Sequence, residues 1–408
     1  KENYQSSLDA AYEMIETYPK SLLLFNLNGV LHHKLKNYKG SLKNYELAIK
    51  LQPKNPEIYI NIGNVHRDLR NFDEALSCFK YALKLKPNFP EAFNCMALTY
   101  KDKNNINLAL DNFKKAISFQ PNNCMFYNNL GDLLRSIGEF DKALKNYQKS
   151  FSIDPSFEQS VFLSEFLLKE KKDAKNALIL LDKALLRNPM DTRSNAYKYI
   201  ALRGLGKFND AENLVNFSRL VFNDNIKNYT NKNIFDFNQK LLSALELHPR
   251  RVEEFDKVGF AIRGGTVIRN LFINPDPIIK KFQDLLIRAI DRRINNLPHD
   301  ANHPFLIKKP KNYTINCWAN LLQGGDYQSN HIHNLGWMSG VYYVDLPKLE
   351  NTNKLNQGFI EFNRAGYGLP HFGKDQGVKL IKPEIGMIIF FPSYVWHGTI
   401  PFLGKENR

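Results

Sequence analysis

The feature that most constrains this chain is a period. Gly29, Gly63, Ala97 and Gly131 stand 34 residues apart, and so do Ser41, Ala75, Ala109, Ala143, Ala177 and Ala211. Ala48, Ala82, Ala116, Ser150 and Ala184 form a third series, and Pro19, Pro53, Pro87, Pro121, Pro155 and Pro189 a fourth. Series that keep one spacing without a slip require a supersecondary unit copied in tandem rather than one irregular core. Between the small positions, segments such as Glu74 to Leu83 place apolar residues at helical spacing. The unit is therefore read as two antiparallel helices. Small residues fall where the helix axes approach, because a larger side chain would overpack the contact. The proline ends the second helix, since it lacks an N–H and clashes with the preceding turn.

The pattern resembles the tetratricopeptide repeat, over residues 1–222. Carried backwards, the register puts Ser7 and Met14 in a second helix ended by Pro19, so the first repeat is expected to be truncated. Carried forwards, Glu165 and Tyr199 replace the small residue of the first helix and position 223 holds no proline, so the array decays towards a capping end. The periodic residues themselves are read as packing. The resemblance implies that any function of this half sits on a concave face presented to a peptide or partner protein.

Composition narrows the rest. With 408 residues the chain has room for two or three domains, and 43% hydrophobic with 24% charged residues is ordinary globular composition. No apolar run approaches the ~18 residues of a membrane-spanning helix, which argues against a membrane role. A net charge of +15 raises the possibility of nucleic acid, but the excess is spread over both halves without a basic cluster in sequence, which argues against it. Cys78, Cys95, Cys124 and Cys317 show neither metal nor disulfide spacing, pointing to a reducing, cytoplasmic setting. The chain opens on Lys1 without a signal-peptide pattern, as expected of a fragment.

The second half changes character. Asn223 to Asn233 is polar, and residues 223–236 are expected to be a linker. A helix is expected over Phe237–Leu247, strand–turn–strand over Gly259–Phe272, and an amphipathic helix over Asp276–Leu297 behind an Asp-Pro cap. Strands follow at Tyr313–Leu322, Tyr327–His333, Trp337–Asp345, Gly358–Asn363, Val378–Lys382, Gly386–Pro392 and His397–Phe402. The expected architecture is thus multidomain: an α-solenoid, then a double-stranded β-helix (jelly roll) with supporting helices over 237–408.

Within those strands, His331-Ile332-His333 carries the chemistry. Side chains alternate along a strand, so both imidazoles share one face. His397, from a distant strand, can complete one triangular face of an octahedral metal and leave the other positions open. Histidines standing alone (His32, His33, His66, His248, His299 and His371) are read as core or surface residues, and His303 is left undecided with the same default.

The stretches Asp326 to His333, Trp337 to Val344 and Phe390 to Thr399 resemble the 2-oxoglutarate/Fe(II)-dependent oxygenases found fused to tetratricopeptide arrays. The resemblance implies metal ligation by His331, His333 and His397, with His333 standing where most relatives have Asp or Glu. Three neutral imidazoles carry one formal negative charge fewer than the usual triad, and the alternative keeps His333 behind a water ligand. It also implies that Arg408 pairs with the distal carboxylate of 2-oxoglutarate, a task suited to a guanidinium fork. Tyr343 and Thr399 would offer hydroxyls to the same group. Asn316, Trp318 and Asn320 share a strand face and are expected to line the pocket, as are Ile389 and Phe391. The implied cofactors are Fe(II), 2-oxoglutarate as cosubstrate, and O2. The expected function is a dioxygenase that hydroxylates a protein or peptide recruited by the array. Two alternatives stand beside it: a non-catalytic interaction scaffold with a degenerate jelly roll, and a cupin-type metal enzyme that does not use 2-oxoglutarate. Relatives continue past residue 408, so a C-terminal strand is expected to be missing, at some loss of stability.

Overall fold

A computed structural model describes residues 2–155, 157–230, 233–253, 261–346, 356–372 and 377–402. It divides into two compact units, Lys1–Gln159 and Ser160–Arg408.

The first unit is a run of helical pairs. After Glu2–Thr17 come Leu22–Lys34 with Tyr38–Leu51, Pro56–Asp68 with Phe72–Leu85, Pro90–Asp102 with Ile106–Phe119, and Cys124–Ser136 with Phe140–Ile153. The periodic glycines are explained by what faces them. A Cβ on Gly63 would lie 2.4 Å from the Phe79 ring, and one on Gly29 would lie 2.4 Å from Tyr45. Tyr45, Phe79, Phe113 and Tyr147 keep the same period and are all buried. Each pair turns through a left-handed residue, Lys36 (φ 61°), Arg70 (63°), Asn104 (58°) and Gly138 (79°). Prolines 53, 87 and 121 directly follow the C-caps Gln52, Lys86 and Gln120. Asn55 and Asn123 cap the next helices by accepting from the backbone N–H of Glu57 and Met125. Neighbouring repeats are tied laterally: Asn61 donates to Asn26 and Asn129 to Asn94, each at 2.9 Å, and His33 meets Asp68 at 2.8 Å.

The second unit includes helices that continue the period. Ala174–Arg187, Thr192–Gly204 and Phe208–Val215 follow the left-handed residues Lys172 (φ 52°) and Gly206 (72°) at the same spacing. Helical-pair geometry therefore outlasts the small-residue pattern. Glu165, in a formerly small position, meets Lys169 at 2.8 Å and Arg193 at 2.6 Å and accepts from the Tyr197 hydroxyl at 2.8 Å. Burial pushes this carboxyl's pKa up, but those partners outweigh it and hold the pKa below its usual value.

Eleven short strands are described: β1 (Phe222–Asn225), β2 (Arg251–Glu253), β3 (Ile262–Arg263), β4 (Thr266–Ile268), β5 (Ala319–Leu321), β6 (Tyr327–Gln328), β7 (Met338–Tyr342), β8 (Ile360–Phe362), β9 (Lys379–Ile381), β10 (Met387–Pro392) and β11 (His397–Thr399). They form small antiparallel sheets in the orders β1-β10-β7, β11-β8-β9, β2-β4-β5 and β3-β6. Each strand expected from the sequence is present in shortened form, and Tyr327–His333 is reduced to Tyr327–Gln328, so the His331-Ile332-His333 motif lies beyond the strand and is tied in by the isolated His331–His397 bridge. The helix Pro277–Asn296 begins at the expected cap, with Asp276 accepting from Ile278 N. It packs Ile279, Phe282 and Leu285 against Phe237, Leu241 and Leu245 of the helix Ile234–Glu246.

The segment 223–236 differs from the linker expectation. Its first residues belong to β1, which pairs with β10 from Phe222↔Phe390 to Asn225↔Met387. A ladder needs backbone groups rather than apolar side chains, so a polar run can supply an edge strand. Ile226 then buries completely beside it, while Asn225 caps the short 3-10 turn Ile226–Tyr229.

Candidate metal centre

The centre is built by one backbone exchange. His331 N donates to His397 O at 2.9 Å, and His397 N donates to His331 O at 3.1 Å. This antiparallel bridge sets the two imidazoles side by side, with ring centroids 4.2 Å apart. His333, two residues on and outside the described strands, is anchored by its N–H on Ser393 O at 3.1 Å. Its Nε2 lies 3.2 Å from His397 Nε2, and ligand atoms of all three rings lie within 4.8 Å of one another. Two metal–nitrogen bonds of about 2.1 Å at right angles would hold cis nitrogens about 3 Å apart, so that pair already has ligand spacing.

The outward nitrogens fix the tautomers. Nδ1 of His331 faces Ser329 O at 2.8 Å, and Nδ1 of His397 faces Val395 O at 3.0 Å. A proton on each Nδ1 satisfies those carbonyls and leaves both Nε2 lone pairs for a metal. Burial depresses all three histidines. His331 and His397 lie below the ordinary value and His333 is lowered to about 3, with the neighbouring His331 adding to the effect on His333 and His397. The rings are therefore neutral at physiological pH, the form that ligates metal.

The triad lines a cavity of about 860 Å³. Trp318, Asn320, Tyr343 and Thr399 all border it, and so does Asn316. The Trp318 ring stands 5.3 Å from His333, centroid to centroid. Asn320 Oδ1 is buried with no hydrogen-bond partner. Arg408 lies outside the described residues. The expectation for β10 needs correction: Ile389 and Phe391 are fully buried and do not border the cavity, whereas Ile388 and Phe390 do, while also packing against the helix Pro277–Asn296. Phe391 instead backs the His397 ring, at 4.5 Å between centroids.

Several supporting residues gave no cue in sequence. The Tyr367 hydroxyl lies 3.3 Å from both N and O of Ile332, between His331 and His333, and Tyr367 itself takes a left-handed φ of 54°. Trp396, next to His397, donates Nε1–H to Ala196 O at 3.1 Å and stacks on Tyr197. His303, undecided from sequence, is buried with its Nε2 at 3.2 Å from Leu214 O.

Comparison with known families agrees with this geometry. Residues 316–408 match the family described as Putative 2OG-Fe(II) oxygenase. Residues 56–89 and 125–157 match a Tetratricopeptide repeat family, 29–69 a TPR repeat family, and 90–123 a further Tetratricopeptide repeat family. The chain thus carries tetratricopeptide repeats followed by a 2OG-Fe(II) oxygenase-type domain, and the repeats mark it as a protein-interaction module. Comparison with curated proteins gives no match. Among solved structures, a thermophilic TPR protein of Thermus thermophilus, TTC0263, is 22% identical over 45% of this chain and 99% of its own, with a TM-score of 0.38. YrrB, a TPR protein with an unusual peptide-binding site, is 21% identical over 46% of this chain and 96% of its own, with a TM-score of 0.31. Among the described residues no helix is long and apolar enough to cross a membrane, and the four cysteines are free.

Proposed function

We propose that the chain is an Fe(II)- and 2-oxoglutarate-dependent dioxygenase that hydroxylates a protein or peptide recruited by its repeats, with the strands around the triad wound as a jelly roll. The observation that carries this reading is the convergence of three neutral imidazoles at the wall of one cavity, two with their metal-facing nitrogens pre-set by backbone carbonyls. The donor set fits the metal: three imidazoles suit iron, occupy one side of it and leave the cavity side open. With Fe(II) and 2-oxoglutarate bound, such a centre uses O2 to hydroxylate a C–H bond and releases succinate and carbon dioxide.

The chain's own residues supply position and exclusion of water. His331, His333 and His397 hold the ion. The Asn320 amide N–H together with the Thr399 and Tyr343 hydroxyls gives the cosubstrate polar neighbours, and Arg408 is assigned to its distal carboxylate. Ile388 and Phe390 form an apolar wall. Trp318 shields the open side of His333. Succinate formation tests the assignment. It should require iron, 2-oxoglutarate and His397 together. Tight peptide binding without iron retention would instead support a scaffold, and iron-dependent turnover indifferent to 2-oxoglutarate would support the cupin-type alternative.

A further inference from the structure

The charge distribution around the cavity differs between its interior and its rim. Among the described residues that border it, none is Lys or Arg, and Asp345 is the one carboxylate. Three neutral imidazoles around a divalent ion leave a charge of about +2, which a dianionic oxo-acid cancels. An anionic target side chain would then meet no Lys or Arg among the described lining residues, and a cationic one only Asp345.

The rim is basic. Pro310, Asn312 and Tyr313 border the cavity, and their chain neighbours are Lys308, Lys309 and Lys311. This strip lies along the helix Pro277–Asn296: Lys309 Nζ reaches Asn295 O at 3.5 Å, and the Tyr313 hydroxyl donates to Asp291 at 2.6 Å. Arg288 and Arg292 of that helix are exposed, as are Lys308 and Lys311. The acids nearby are mostly engaged. Asp284 pairs with Lys280 at 3.4 Å, and Asp300 with Arg219 at 3.1 Å. Arg293 points inward to the carbonyls of Arg219 and Leu220. Asp291 accepts from Tyr313, and Arg292 faces Asp224 and Tyr229. Closer to the metal the mouth is apolar instead, with Trp318 42% exposed and Leu335 fully exposed.

We propose that the cavity receives an uncharged residue of an acidic polypeptide, whose carboxylates lie on the strip formed by Lys308, Lys309 and Lys311. This rests on the oxygenase reading above. Lys311 and Lys308 lie seven and ten positions before Trp318, at most about 25 and 36 Å of extended chain, so the acidic residues fall within about ten positions of the target. Peptide is favoured over nucleic acid by the neutral interior. Every nucleotide carries its own phosphate to the mouth, where Trp318, Asn316 and Leu335 offer no cation, whereas a peptide can keep its carboxylates residues away.

The test is fluorescence anisotropy on the full chain, without iron or 2-oxoglutarate, so that binding is read apart from turnover. The probes are a short labelled peptide with glutamates on one side of a neutral centre, its glutamine counterpart, and a single-stranded oligonucleotide of similar length. The glutamate peptide should bind about tenfold tighter than the glutamine one, with the gap closing as salt rises. Joint reversal by Lys308→Glu, Lys309→Glu and Lys311→Glu should erase the preference at an unchanged melting temperature. If that reversal unsettles the fold, Lys308→Gln with Lys311→Gln should give a partial loss. Equal binding of the two peptides, an undiminished preference in both variants, or stronger binding of the oligonucleotide overturns the proposal. Glutamate preference without succinate formation upholds the surface and sinks the oxygenase assignment alone.

Discussion

The repeat solenoid and the histidine region use sequence distance in opposite ways. In the solenoid, Gly63 meets Phe79 and Asn61 meets Asn26, contacts that span about one repeat or less. Around the triad the decisive partners are remote: His331 bridges His397, β1 pairs with β10, and Trp396 donates to Ala196. Thr192 likewise donates from its helix to Gly336 O at 3.0 Å. A solenoid built from nearest-neighbour contacts confines a fault to its vicinity. A centre built from long-range closures depends on each of them, and their loop entropy must be met before any ligand geometry exists.

Substitutions in the two regions should therefore fail differently. The largest effect is expected from Phe79→Ala, which empties the space opposite Gly63 and should cost about 3–5 kcal/mol in urea unfolding. Metal affinity of the triad should be untouched, and a parallel loss would break the contrast. His331→Ala should do the reverse. Removing one imidazole should weaken binding of Fe(II), or of a Co(II) surrogate, by at least about a hundredfold in a competition titration. Its helical circular dichroism should match the parent. Asn123→Ala removes one helix cap and should cost about 1 kcal/mol, visible as a small shift in the first unfolding transition.

The smallest effect is a pH dependence. Burial lowers the pKa of His303 below 6.5, against smaller upward contributions from Leu214 O and Asp300. Its ring accepts from Phe305 N at 3.2 Å on one side and meets Leu214 O on the other, an arrangement of the neutral form. A folded value below the unfolded one means that the stabilisation is present above about pH 6.5 and is lost as pH falls towards the folded value. Denaturation midpoints measured at about pH 7 and about pH 5 should therefore converge in His303→Gln relative to the parent. An unchanged pH slope would remove His303 as a contributor.

The two regions were also unequally legible. Periodic glycines, alanines and prolines declared the helical pairs because the same packing problem is solved again in each copy. His331, His333 and His397 were legible because ligand chemistry restricts their roles. The remainder depended on pairing that no local pattern specifies. Asn223 to Asn225 read as linker because strand β1 is recruited by its backbone, and which β10 side chains border the cavity cannot be told from an all-apolar run. The fit of Glu165 into a small-residue position could not be seen before Lys169, Arg193 and Tyr197 were found around it. The basic rim was hidden for a related reason: Lys308 to Lys311 and Arg288 to Arg292 are separate in sequence and joined through the Lys309 and Tyr313 contacts.

The most direct measurement is an anaerobic titration of the protein with Fe(II) and 2-oxoglutarate, followed by visible absorption. The account predicts a metal-to-ligand charge-transfer band that needs both additions and disappears in His331→Ala. Absence of the band at saturating concentrations of both, with no iron retained after desalting, would contradict it.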